Sequence, residues 1–89
     1  MRITQLDGDD YRIDHIAQHD VEPEEVWEAC EDSLHLARRQ ARNRYRLYGQ
    51  TAEGRYFFVV LEQVEGTIFK PVTARDMTEG EKQNFRRLR

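Results

Sequence analysis

One cysteine, two prolines and two lysines are all that 89 residues contain of those three types. The lone thiol, Cys30, cannot close a disulfide within the chain, and it has no second thiol with which to build a metal cluster. Its simplest place is as a small buried side chain in a reducing compartment. Long apolar runs are missing too. The longest, YFFVVL at residues 56 to 61, falls far short of the ~20 residues of a helical membrane span. The opening MRITQLDGDD lacks the basic-then-apolar order of a secretion signal, so a cytoplasmic chain with no membrane partner is expected. Neither a GxSxG elbow nor a phosphate-cradling glycine loop is present. His15 and His19 stand four residues apart, but Ile16 occupies the place where an HExxH helix needs its glutamate, and no third ligand is evident. No metal and no other cofactor are expected.

Charge is plentiful. Charged residues make up 35% of the chain and mean hydropathy is −0.90, yet nine aromatics and several short apolar runs indicate a folded chain. At this length it is one domain, residues 1–89, able to bury about 60 to 65% of its unfolded surface. The net charge of −3 conceals a division. Residues 1 to 33 carry eleven acids against Arg2 and Arg12, while residues 34 to 89 carry twelve bases against six acids. Such asymmetry points to a polyanion or an acidic partner for one surface. The plainer reading is that opposite charges pair within the fold.

Periodicity suggests the elements. Residues 2 to 6 read as a short edge strand before the turn-like Asp7-Gly8-Asp9-Asp10. Ile13, Ile16 and Ala17 predict a helix from Asp10 to near Asp20, and Pro23 opens a second with Val26, Ala29, Cys30 and Ser33 on one face, widened by Trp27. After Leu34 the pattern alternates, with turns at 51–54 and 63–66 between three strand-like runs. The middle run, 55 to 62, is apolar at successive positions and should be buried on both faces. Pro71 in the third is best tolerated at an edge or bulge. Thr78-Glu79-Gly80-Glu81 matches a capping box, opening a terminal helix that turns Phe85 and Leu88 inward. The expected fold is therefore α+β: two N-terminal helices packed on an antiparallel sheet of three to four strands, with a short C-terminal helix.

Five arginines fall within residues 38 to 46. On a strand through residues 44 to 50, Arg44, Arg46 and Tyr48 share one face, and Arg38 and Arg42 join them if the extended conformation continues back. The chain holds twelve arginines against its two lysines. A guanidinium binds phosphate oxygens bidentately and stacks on bases, which an ammonium cannot do. Arginines with a few histidines and acids are what metal-independent RNA cleavage needs. The ribose 2′-hydroxyl attacks the adjacent phosphate while the protein moves two protons and neutralises charge on phosphorus.

The motif order resembles the BrnT-like toxins of the RelE superfamily. The matching pieces are His19-Asp20-Val21 with Pro-Glu-Glu-Val at 23 to 26, Arg44-Tyr45-Arg46-Leu47-Tyr48-Gly49, Gly54-Arg55 leading into Phe58-Val59-Val60, and Thr73-Ala74-Arg75 with Met77-Thr78 and Glu81. The resemblance implies a bacterial ribonuclease toxin held inactive by a ribbon-helix-helix antitoxin, with any oligomer formed through that antitoxin. It implies Arg55 and Arg75 as phosphate-contacting or catalytic arginines, and Glu81 as an acid that orients an arginine or moves a proton. His19 joins them as a candidate catalytic residue with a structural alternative, and Arg38, Arg42, Arg44, Arg46 and Tyr48 form the RNA-binding set. Where many relatives carry an arginine-rich terminal helix ending in tyrosine, this chain has Asp76, Glu79, Gly80, Gln83, Asn84 and Phe85. That difference keeps open a second reading, a non-cleaving module that docks an antitoxin or RNA on its arginine face. A third is a small scaffold domain whose charges pair internally.

Overall fold

The computed structural model of the chain describes residues 1–7 and 21–88. Five strands form one sheet: β1 (Gln5–Leu6), β2 (Leu36–Ala41), β3 (Arg44–Gln50), β4 (Tyr56–Glu65) and β5 (Ile68–Asp76), in the spatial order β1-β5-β4-β3-β2. Helix α1 (Pro23–Glu31) precedes β2, and helix α2 (Glu79–Leu88) follows β5. From β2 to β5 the strands form an antiparallel meander. β1 joins the far edge in parallel, Gln5 opposite Ile68 and Leu6 opposite Phe69.

This corrects the expected architecture. The sheet has five strands rather than three or four and is mixed rather than antiparallel, and among the described residues one helix, not two, lies ahead of the meander. The helix expected from Asp10 to Asp20 falls outside the described residues. The extra meander strand is β2, whose LARRQA sequence leaves four consecutive residues exposed. An edge strand solvated on both sides has no apolar alternation by which to recognise it. Parallel pairing of β1 depends on partners more than sixty positions away, such as the Thr4 and Thr67 hydroxyls 2.6 Å apart.

β4 organises the interior because its side chains are buried on both faces. Phe57, Val59 and Leu61 point to the α1 side, where Leu47, Phe69 and Ala74 from other strands meet Val26, Ala29 and Cys30 of the helix. Phe58 points the other way, to Met77 and Phe85, with Tyr48, Tyr56 and Val60 packed around them. Full burial of each large side chain is worth about 1.5 to 3 kcal/mol, so the two clusters fix both helices on the sheet. Ser33 is exposed beyond the end of α1 and Leu88 is 45% exposed, so neither takes the inward place expected of it.

Local chemistry sets the element ends. Glu22 N–H donates to the Glu25 carboxylate at 3.1 Å ahead of Pro23. The box at α2 forms as the sequence suggests, Thr78 N–H to Glu81 Oε1 at 2.9 Å and Glu81 N–H to Thr78 Oγ1 at 3.2 Å. Pro71 lies past the two β1-paired residues of β5 and opposite Leu61, where the β4–β5 register shifts, so its missing N–H costs no regular ladder bond.

Candidate functional site

The two faces of the sheet treat charge differently. On the α1 side Glu25, Glu28, Asp32 and Asp76 are occupied. Arg55, just before β4, donates Nε and Nη2 to the two Asp76 carboxylate oxygens at 2.8 and 3.0 Å, and Nη1 to Glu25 at 3.1 Å. Its guanidinium lies 4.6 Å from the centre of the Phe57 ring. The Asp76 hydrogen bonds, ahead of those to Glu25, push the Arg55 pKa further up, and the same contact holds the Asp76 carboxyl below the usual range. Glu28 accepts from Ala52 N–H at 3.1 Å, and Asp32 from Gln50 N–H at 3.0 Å. Three of the N-terminal acids, Glu25, Glu28 and Asp32, thus hold the β3–β4 turn against α1.

The α2 side carries the arginine stripe. In register across the sheet run Leu36, Tyr48, Phe58 and Arg75, and beside them Arg38, Arg46, Val60 and Thr73. Arg75 donates to both oxygens of Glu81 at 2.7 and 3.2 Å and lies 4.3 Å from the centre of the Phe58 ring. Phe58 in turn packs on Tyr48, centroids 5.3 Å apart. The Arg75 hydrogen bonds lower the Glu81 pKa, and Glu81 raises that of Arg75. A charge-assisted bidentate pair standing on an aromatic ring fixes the guanidinium in place.

Arg38 and Arg46 differ from every other strand arginine. They stand directly opposite one another, and among the described residues neither has a hydrogen-bond or ion-pair partner. Like charges at opposed positions destabilise a sheet, and a bound anion relieves the repulsion. Both line a cleft of about 220 Å³ between β2, β3 and α2, together with Leu36, Tyr48, Glu81, Asn84 and Phe85.

The sequence-derived candidates therefore divide. Arg38, Arg46, Tyr48 and Glu81 come together at the cleft, with Arg75 held on Glu81. Arg44 shares their face but pairs with Glu62 at 3.4 Å, one row away. Arg42 leaves the stripe, because the chain turns at residues 42 and 43 and its carbonyl accepts from Arg39 at 2.7 Å. Arg55 belongs to the opposite face. His19 lies outside the described residues. Leu36, Asn84 and Phe85 are the lining residues absent from the sequence-derived set, the last two on α2. Their spacing of three and four from Glu81 puts them on its side of the helix, and that signal was available. Among the described residues no three of His, Cys, Asp and Glu gather to hold a metal ion, and no helix is long and apolar enough to cross a membrane.

No protein-family model matches the chain, and no curated protein matches it in sequence. Its fold is that of a known ribonuclease toxin. The crystal structure of the Brucella abortus ribonuclease toxin, BrnT, superposes with a TM-score of 0.67 at 12% sequence identity, covering 84% of this chain and 97% of that one. The resemblance in motif order is thus borne out at the level of the fold.

Proposed function

We propose that this chain is the toxin of a type II toxin–antitoxin pair and cleaves single-stranded RNA, without a metal ion, at the cleft on its α2 face. The observation that carries the reading is the Arg38–Arg46 pair, without acid partners among the described residues, set beside the fixed Arg75–Glu81 couple in one cleft. The ribonuclease activity named for the Brucella protein of the same fold supports the chemistry. In the reaction the 2′-oxygen bonds to phosphorus, the 5′-oxygen leaves, and a 2′,3′-cyclic phosphate remains. Arg75 and Arg46 neutralise the charge that accumulates on the phosphoryl oxygens. Glu81 is a positioning residue for Arg75. Arg55, neutralised by two carboxylates on the far face, serves the fold rather than the reaction. An acidic antitoxin surface covering the basic face would neutralise charge and exclude substrate together.

A second reading, a binding module without chemistry, is favoured by one observation. Arg75 has its charge paired with Glu81 and gives a further N–H to the Asp76 carbonyl at 3.0 Å, so a phosphate shares its guanidinium with an acid already in place. Labelled single-stranded RNA incubated with the purified chain in excess chelator separates the two. Cyclic-phosphate ends produced by the wild type and lost in Arg75→Ala support cleavage at this site. Full activity in Arg75→Ala rejects the site, and tight RNA binding with no product favours the binding module.

A further inference from the structure

We infer that the cleft between β2, β3 and α2 is a base-reading subsite, seating one unstacked base of single-stranded RNA with Asn84 contacting its edge. This rests on the RNA reading above and adds to it a determinant of sequence preference. Three features argue for it. The first is size. At about 220 Å³ the cleft lies below the ~300 to 1,000 Å³ of sites that take drug-sized ligands, which suits one flat ring and leaves no room for two. The second is the wall chemistry. Tyr48, Leu36 and Phe85 give an aromatic and apolar lining, the surface on which splayed-out bases of single-stranded RNA stack. The lining also includes the exposed Arg38 and Arg46, unpartnered among the described residues, so a phosphate joined to the seated base has two guanidinium groups within the same cleft.

The third feature is the polar inventory. Asn84 Oδ1 accepts from Arg87 Nη2 at 2.7 Å, which turns the oxygen toward Arg87, while among the described residues the amide Nδ2 has no acceptor. Glu81, one helical turn earlier, has Oε1 engaged by Arg75 and Thr78 but Oε2 by Arg75 alone at 3.2 Å. The cleft thus offers one amide donor and one spare carboxylate lone pair in a fixed order, and a Watson–Crick edge sets its donor and acceptor side by side in one order for adenine and cytosine and in the other for guanine and uracil. Asn84 is the one of the two that can change without disturbing Arg75.

Tetranucleotides fully 2′-O-methylated, and so resistant to cleavage, are titrated into the nitrogen-15-labelled chain, each set varying the base at one position. Asn84→Ala is measured beside the wild type, since alanine at an exposed helical position preserves the helix. Expected are amide shifts at Leu36, Tyr48 and Asn84, with at least tenfold discrimination among bases at one position, reduced below threefold by Asn84→Ala. Binding with undiminished discrimination in Asn84→Ala, or with shifts confined to the Arg44 and Lys70 end of the face, overturns the inference and leaves the RNA reading standing. If the analogues do not bind but unmodified RNA is cut, the comparison is read in kcat/KM, where discrimination kept by Asn84→Ala again overturns it. Neither binding nor cleavage by the folded wild type overturns the inference and the RNA reading together.

Discussion

Gly49 is the most closely enclosed of the described glycines. A Cβ built there lies 2.9 Å from the Ala29 carbonyl carbon and 3.2 Å from its Cα, so the obstacle is helix backbone, which cannot turn aside as a side chain does. Overpacking costs about 1 to 3 kcal/mol, and Gly49→Ala is expected at or above the upper figure in chemical denaturation. Cys30 makes the opposite case. Burial, reinforced by Glu31, pushes its thiol up to about 12, so it is expected to resist alkylation in the native state and to react on unfolding. That role was legible in the sequence, since a single cysteine on the apolar face of a helix has few others. Glu81 gives a pH signature. Arg75 lowers its carboxyl pKa from the ordinary 4.5, so its contribution to stability is complete above pH 4.5 and is lost as the pH falls through the lowered native value. Glu81→Gln should flatten that part of the acid limb in denaturation midpoints measured from pH 5 downward.

Elements were legible where one face or both had to be buried. β4 announces itself with six successive apolar residues, the proline places the start of α1, and the Thr78–Glu81 box places the start of α2. β2 was not legible, because its exposed residues obey no burial pattern; β1 was legible as a short edge strand, but its parallel pairing with β5 could not be read before its distant partner was known. The arginine stripe was half legible. Alternation correctly put Arg44, Arg46 and Tyr48 on one face, but Arg55 follows a turn that sets it toward α1. There it clasps Glu25 of the helix to Asp76 at the end of β5, joining elements far apart in sequence. With both acids partly exposed, Arg55→Ala is expected to cost roughly 1 kcal/mol of unfolding free energy, discounted for solvent screening, while RNA cleavage falls less than twofold under conditions where the variant is folded. A loss of cleavage as large as that of Arg75→Ala would return Arg55 to the site.

At the scale of the whole molecule, a net charge of −3 describes neither face of the sheet, because acids gather on the α1 side and unpaired strand arginines on the α2 side. Acids of α1 and the segment after it are committed to Arg55 and to backbone N–H groups of the β3–β4 turn. The α2 face keeps Arg38 and Arg46 without acid partners among the described residues, and Arg75 shared with Glu81. On the proposed reading, long-range attraction of RNA is a property of this face and not of the total charge. Each phosphate neutralised on a single strand contributes ~0.7 to the slope of log affinity against log salt. Arg38→Ala and Arg46→Ala should each reduce the slope by about that amount, and Arg55→Ala should leave it unchanged, because its charge is already balanced on the other side of the sheet. Binding isotherms over a range of salt concentrations decide the matter. Equal slope changes in all three variants would mean that RNA responds to net charge alone, and the division between the two faces would then have no part in recognition.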